Sequence, residues 1–139
     1  MPEGFNTVCE IRVRFAETDA QGIAHHAAYV VWLEVARIAY LAEHAGGYSA
    51  LRAQGIEALT TGVKVDYRAA AVFDDVLAIH VRCVDLRGAR FRYEYWIERD
   101  GESMATAETT HATVNATTMR PTRVPAWLAD AIATAERAS

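Results

Sequence analysis

A helical run that is apolar on nearly every side constrains this chain most. From about Ala28 to His44 the charged or polar-tipped positions are Glu34, Arg37, Glu43 and His44, with Tyr29 and Tyr40. Val30, Val31, Trp32, Leu33, Val35, Ile38, Leu41 and several alanines fill the rest. A surface helix shows a broad polar face. This one shows only a narrow seam, which predicts a central helix enclosed by other elements, about 25 Å long. Gly46 and Gly47 stop it, since glycine tolerates the left-handed conformation at a helix C-terminus. Ahead of it lies a polar loop carrying Asp19, Gly22, His25 and His26.

The rest of the chain reads as strand. Cys9, Ile11, Val13 and Phe15 alternate with Glu10, Arg12 and Arg14, the period of a half-buried strand over residues 8–15. A short helical turn is expected at 48–54. From about Ala58, Val63, Val65, Tyr67 and Ala69 alternate with charged residues, and Asp74-Asp75 marks a turn. A third strand over 76–86 places Leu77, Ile79, Val81 and Cys83 inward, then slips at Val84 and Leu86, which predicts a bulge. After Arg87-Gly88 a fourth strand carries Phe91, Tyr93, Tyr95 and Ile97 on one face. Asp100-Gly101 is a hairpin signal, and 103–117 make a fifth strand. Pro121 and Pro125 end the sheet, and 126–138 read as a short terminal helix. The order is β-α-β-β-β-β, an α+β chain with an antiparallel sheet, apolar on the face that covers the helix and charged on the other. An open sheet leaves edges that invite pairing with another copy, so a homodimer is expected.

At 139 residues the chain is read as one domain, 1–139, with its core at about 8–125. A net charge of −4, without a basic tail or acidic run, gives no reason to expect nucleic acid. Two cysteines, Cys9 and Cys83, are too few for a disulfide framework and read as reduced core residues. Neither has a base placed beside it to make a nucleophile. The N-terminus has no positive and apolar regions of a signal peptide, and Glu34 and Arg37 break the longest apolar run, against a membrane span. The cytoplasm is the expected compartment.

Residues 13–29, VRFAETDAQGIAHHAAY, carry a pattern of Asp19, Gly22, His26 and Tyr29 ahead of the long helix. This resembles the opening motif of the hot-dog-fold acyl-CoA thioesterases, nearest the 4-hydroxybenzoyl-CoA thioesterase and YbgC-like group. Phe15, Thr18 and Ile23 also fall in its positions. VDYRAAAVFDDVL at 65–77 and LRGARF at 86–91 resemble the family's later segments. The likeness covers roughly 8–125. Two positions depart from it: Phe15, where tyrosine is frequent, and Gln21, where a small residue is usual.

The resemblance implies a hot-dog fold, five antiparallel strands wrapped around one central helix. It also implies hydrolysis of acyl-CoA at a site shared across a homodimer, with tetramers open. Asp19 would be nucleophile or general base. Backbone N–H groups at Gly22 to Ala27, helped by the helix dipole, would bind the developing oxyanion. His26 acts through its backbone or its side chain, and Tyr29 through packing or its hydroxyl. Coenzyme A enters as part of the substrate, with no other cofactor and no metal. Arg87, Arg90, Arg120 and Arg123 are the phosphate candidates, against a reading as ordinary surface arginines. His25 and His26 do not make a metal pair, because neighbouring side chains diverge and no third ligand follows. His44, His80 and His111 read as structural or exposed, and Glu34 with Arg37 as a helix ion pair. The acyl pocket is expected at Trp32, Tyr29, Val63 and Tyr67. Two rivals remain: a hydratase or dehydratase using His26 and Glu34, and a non-catalytic acyl-CoA or acyl-carrier binding module.

Overall fold

The computed structural model describes residues 3–137. The final position of the expected terminal helix, Ala138, lies outside them. The elements are β1 (Thr7–Arg12), a 3₁₀ turn (Phe15–Glu17), α1 (His26–His44), α2 (Tyr48–Ala53), β2 (Ile56–Tyr67), β3 (Val76–Arg87), β4 (Arg90–Arg99), β5 (Glu102–Asn115) and α3 (Ala126–Arg137). The five strands form one sheet in the order β1-β3-β4-β5-β2. Every pairing is antiparallel. This is the hot-dog arrangement, with α1 lying on the apolar face.

Local chemistry explains the turns. Asp100 and Gly101 both take positive φ (50° and 85°), the backbone of a tight turn whose twist suits a hairpin, and they join β4 to β5. Gly46 has φ 76°, and the Gly47 N–H returns to the Leu41 carbonyl at 2.9 Å, closing the end of α1. The expected bulge in β3 is present: its register with β4 shifts between Val84 and Arg87, with Asp85 at φ 54°.

The core is one cluster. Leu77, Ile79, Val81 and Cys83 of β3 and Phe91, Tyr93, Tyr95 and Ile97 of β4 meet Tyr29, Trp32, Leu33, Ala36 and Tyr40 of α1. Two expectations are corrected here. Phe15 does not continue the inward face of β1. The strand ends at Arg12, and Phe15 starts the 3₁₀ turn, 75% exposed, edge-on to Phe73 at 5.8 Å. Nor is α1 enclosed: Val30, Val31, Val35 and Ile38 stay 41–49% exposed. One sheet covers one side of a helix about 10 Å thick, and the described residues supply no layer for the other side. Among the described residues no helix is long and apolar enough to cross a membrane.

Candidate active site

The segment between β1 and α1 is built around a carboxylate that the sequence reading passed over. Glu17 is 5% exposed. Its side chain accepts the Arg14 backbone N–H at 2.8 Å, the Trp32 indole N–H at 2.9 Å and the Arg14 guanidinium at 3.3 Å. Burial pushes its pKa up, but these donors and the guanidinium charge outweigh burial and hold the carboxyl below its ordinary range. The Glu17 carbonyl also accepts the His25 N–H at 2.9 Å, so one residue ties both ends of the loop together.

Between those ties the chain makes a small hairpin. Thr18 bridges Ala24, the Asp19 N–H donates to the Ile23 carbonyl, and the Gly22 N–H donates back to the Asp19 carbonyl. Gly22 has φ 82°, a conformation that its lack of a Cβ makes inexpensive. Asp19 sits at the tip, exposed to solvent. One carboxylate oxygen accepts the Gln21 N–H at 2.8 Å. The other has no hydrogen-bond partner among the described residues. The hairpin is held to the turn before β3 by the Ala24 N–H on the Ala71 carbonyl, at 2.8 Å, and by a bridge between Ile23 and Val72.

The helix then starts. His25 is its N-cap, and its Nδ1 accepts the Ala28 N–H at 3.1 Å, which assigns the ring proton to Nε2. The range of backbone donors expected from the sequence is therefore too wide. Gly22, Ala24, His25 and Ala28 spend their N–H groups on Asp19, Ala71, Glu17 and His25. His26 and Ala27, the first two helical positions, have N–H groups that a helix leaves unpaired. The His26 ring stacks on Tyr67 at 4.4 Å, with the planes 22° apart. Tyr29 is buried edge-on to Tyr67 at 4.9 Å and beside Trp32 at 4.6 Å. Burial, with Tyr67 next, raises the Tyr29 hydroxyl, so it stays a neutral hydrogen-bonding group at pH 7.

Asp19, Gly22, His26 and Tyr29 thus gather at one end of the molecule. The four phosphate-candidate arginines gather at the other. Arg87 and Arg90 flank the β3–β4 turn. Arg120 and Arg123 lie on the strap after β5, which is laid against that turn by the Val124 N–H on the Gly88 carbonyl at 2.9 Å. All four are exposed, and none makes an ion pair among the described residues. Glu34 and Arg37 are not an ion pair either: Arg37 turns inward and donates to the Tyr95 hydroxyl at 3.4 Å. His111, expected to be structural or exposed, is 4% exposed and lines a cavity. Cys83 is sealed in the core, where burial pushes its thiol up to about 12, so it is not a nucleophile.

Of the two missed residues, one left a signal in the sequence. Arg14 and Glu17 stand three apart, the spacing that closes a charged pair over one turn. The His25 cap falls outside the usual Ser, Thr, Asp and Asn set, and nothing in its spacing marks it.

A sequence profile of the thioesterase-like superfamily matches residues 13–132, which include the hairpin, the long helix and strands β2 to β5. The chain belongs to that superfamily. Among its relatives is the YneP protein of Bacillus subtilis, 31% identical over 113 residues (81% of this chain and 82% of that one). The acyl-CoA thioester hydrolase YbgC of Escherichia coli is 29% identical over 116 residues (83% and 87%). Among solved structures, a DHNA-CoA thioesterase from Staphylococcus aureus superposes with a TM-score of 0.86 at 27% identity, covering 94% of this chain and 91% of that one. A superfamily member of this fold is an enzyme of the thioesterase kind, and its hot-dog architecture is that of the solved relatives.

Proposed function

We propose that this protein hydrolyses acyl-CoA thioesters in the cytoplasm. The observation that carries the reading is the Thr18–Ala24 hairpin, which presents the Asp19 carboxylate just ahead of the two unpaired N–H groups of α1. In hydrolysis a C–O bond forms at the thioester carbon and the C–S bond breaks. As general base, Asp19 takes a proton from water while water attacks. As nucleophile, it forms a mixed anhydride that water then opens. On either route the carbonyl oxygen gains negative charge, which the His26 and Ala27 N–H groups and the positive end of α1 stabilise. Coenzyme A thiolate leaves and takes up the proton.

The arginines require a second copy. β3 separates the two ends of the chain by twelve residues, about 35 Å of strand. If two β2 strands pair antiparallel at their free edges, the Tyr67 end of one meets the Ile56 end of the other. Ile56 pairs with Asn115, whose N–H holds the Arg120 carbonyl. Arg120 and Arg123 of the second copy would then stand near the first copy's Asp19 hairpin, within reach of coenzyme A phosphates.

The hydratase reading is weakened by distance: His26 and Glu34 are eight residues apart on α1, about 12 Å of rise. The deciding experiment is thiol release from a panel of acyl-CoAs by the wild type and Asp19→Asn. At least about a hundred-fold loss in the variant is expected. Equal turnover by both removes Asp19 from the mechanism, and binding without release by either supports the binding-module reading. In a single turnover in heavy-oxygen water, label in Asp19 marks the nucleophile route with water opening the anhydride at the Asp19 carbonyl, because general-base hydrolysis puts all of the label in the released acid.

A further inference from the structure

The space between α1 and the sheet is filled unevenly. A cavity of about 290 Å³ lies beside the C-terminal half of α1, closed by Leu41, Leu51, Phe91, Leu128 and Ile132. This is near the lower limit of size for ligand pockets, which are concave and mostly apolar. It does not include Tyr29 or Trp32, where the sequence placed the pocket. Glu34 and Ile38, both exposed, stand on its open side.

A trough connects this cavity to the start of α1. Glu34 shares a helical stripe with Val30 and His26, each four residues apart. The opposite bank is β2, whose register with β5 shifts between Thr60 and Gly62. Because of that bulge Thr60 faces the same way as its partner His111, and Val63, Val65 and Tyr67 the same way as Thr109, Ala107 and Ala105. All of them look towards α1. The trough therefore runs from the His26–Tyr67 stack, past Val30 and Val63, each 45% exposed, to Thr60 and Ala58 at the cavity.

The back wall is a chain of hydrogen-bonded polar groups that begins at a guanidinium. Arg37 donates to the Tyr95 hydroxyl, which lies 2.6 Å from the Thr109 hydroxyl, itself 2.7 Å from His111 Nε2. A guanidinium can only donate, so the Tyr95 oxygen accepts from Arg37, while either hydroxyl can donate between Tyr95 and Thr109. Burial, with Arg37 next, pushes the imidazole down to about 4, and it is neutral at pH 7.

We infer that this cavity receives the far end of an aliphatic acyl chain whose thioester lies at the start of α1. The inference rests on the thioesterase reading and adds a substrate class to it. From His26 to Glu34 the helix rises about 12 Å. An extended chain advances roughly 1.2 Å per bond, so about ten bonds are needed. A butyryl or single benzoyl group stops in the trough; a dodecanoyl chain reaches the cavity.

Ala58→Leu puts bulk into the cavity, and Ile38→Phe narrows its exposed side without touching the sealed core. Both are expected to lower kcat/KM for dodecanoyl-CoA about ten-fold or more and to leave butyryl-CoA and benzoyl-CoA turnover intact, which also certifies the fold. The thioether S-dodecyl-coenzyme A, which cannot be hydrolysed, should bind the wild type by calorimetry about ten-fold tighter than S-butyl-coenzyme A, and Ala58→Leu should erase the difference. This arm reads the cavity even if no thioester is cleaved, so failure of the hydrolase reading is distinguishable. Equal affinity for the two thioethers, or variants that depress all acyl lengths alike or none, would overturn the inference.

Discussion

Glu17 shows how one residue sets the precision of a site it does not enter. Replacing it with alanine strands the Trp32 indole N–H and the Arg14 backbone N–H in a buried setting, at about 1–3 kcal/mol each. Glu17→Ala is therefore expected to destabilise the fold by about 2–6 kcal/mol in urea unfolding and to loosen the Asp19 hairpin. The pH dependence has a definite sign. The folded pKa lies below the unfolded one, about 4.3 for a free glutamate, so folding is favoured by the ionised form. That stabilisation is complete above the unfolded value and is lost as pH falls through the folded one. Urea unfolding of wild type and Glu17→Gln across this range checks it: the acid loss should be shallower in the variant, and parallel curves would exclude the carboxylate. At this scale the sequence names Asp19, Gly22, His26 and Tyr29 as candidates through a motif, and the fold brings the four to one end of the molecule. The sequence was illegible where burial decides. Glu17 reads as a surface charge until Trp32 is seen above it, and His111 as an ordinary strand residue until its face is known.

Among the elements, alternation carried the prediction well. The inward faces of β3 and β4 were readable because their apolar residues alternate with mostly charged or polar ones, as was the β3 bulge, because Val84 and Leu86 break the period. The β2 bulge was not. Thr60, Thr61 and Gly62 are too alike in polarity to show a slip, yet that slip keeps Ala58 and Tyr67 on one face. The inward face of β5 was hidden for the same reason, since threonines occupy both sides. α3 was foreseen as a helix but not in its task. β1 is six residues long and pairs β3 only as far as Val81, leaving the Cys83 N–H without a strand beside it. The Glu136 carboxylate covers that gap: it accepts the Cys83 N–H at 3.0 Å and the Tyr40 hydroxyl, while Asn6 binds the Ala135 and Glu136 carbonyls. Burial, with Glu136 next, raises the Tyr40 hydroxyl, which remains a donor. Glu136→Ala should cost about 1–3 kcal/mol in thermal or urea unfolding, and Glu136→Gln, which keeps an acceptor oxygen, less than half of that. Equal losses from both would assign the effect to charge rather than to the two hydrogen bonds.

At the scale of the whole molecule, one chain is an incomplete solution to its own sequence. The helix was expected to be enclosed because its residues are apolar nearly all round. The single chain leaves Val30, Val31, Val35 and Ile38 exposed beside a twelve-residue β2 whose outer edge is unpaired, with Val63 and Tyr67 exposed on the strand. A long apolar edge strand without proline is the feature that soluble proteins cover or pair. Periodicity in one sequence reports that a face is apolar, not which chain covers it, so this part of the fold could be inferred only as a need. Pairing two β2 strands antiparallel about a two-fold axis satisfies the edge and carries Arg120 and Arg123 of one copy towards Asp19 of the other. Full overlap of twelve residues puts the axis at the strand's midpoint, between Thr61 and Gly62. Thr61 is exposed there, with its hydroxyl 2.9 Å from that of Thr110, so its loss should matter little to the isolated chain. Thr61 of each copy then faces Gly62 of the other, so Thr61→Glu puts the two introduced charges within one residue of each other across the axis, where like charges repel. Sedimentation should therefore give twice the chain mass for the wild type and a shift towards single-chain mass for Thr61→Glu. Thioester turnover should fall in proportion to the dimer lost and recover at high protein concentration. A wild type that sediments as one chain, or a monomeric Thr61→Glu with full turnover, would place the complete site within a single copy and remove the arginines of the second from it.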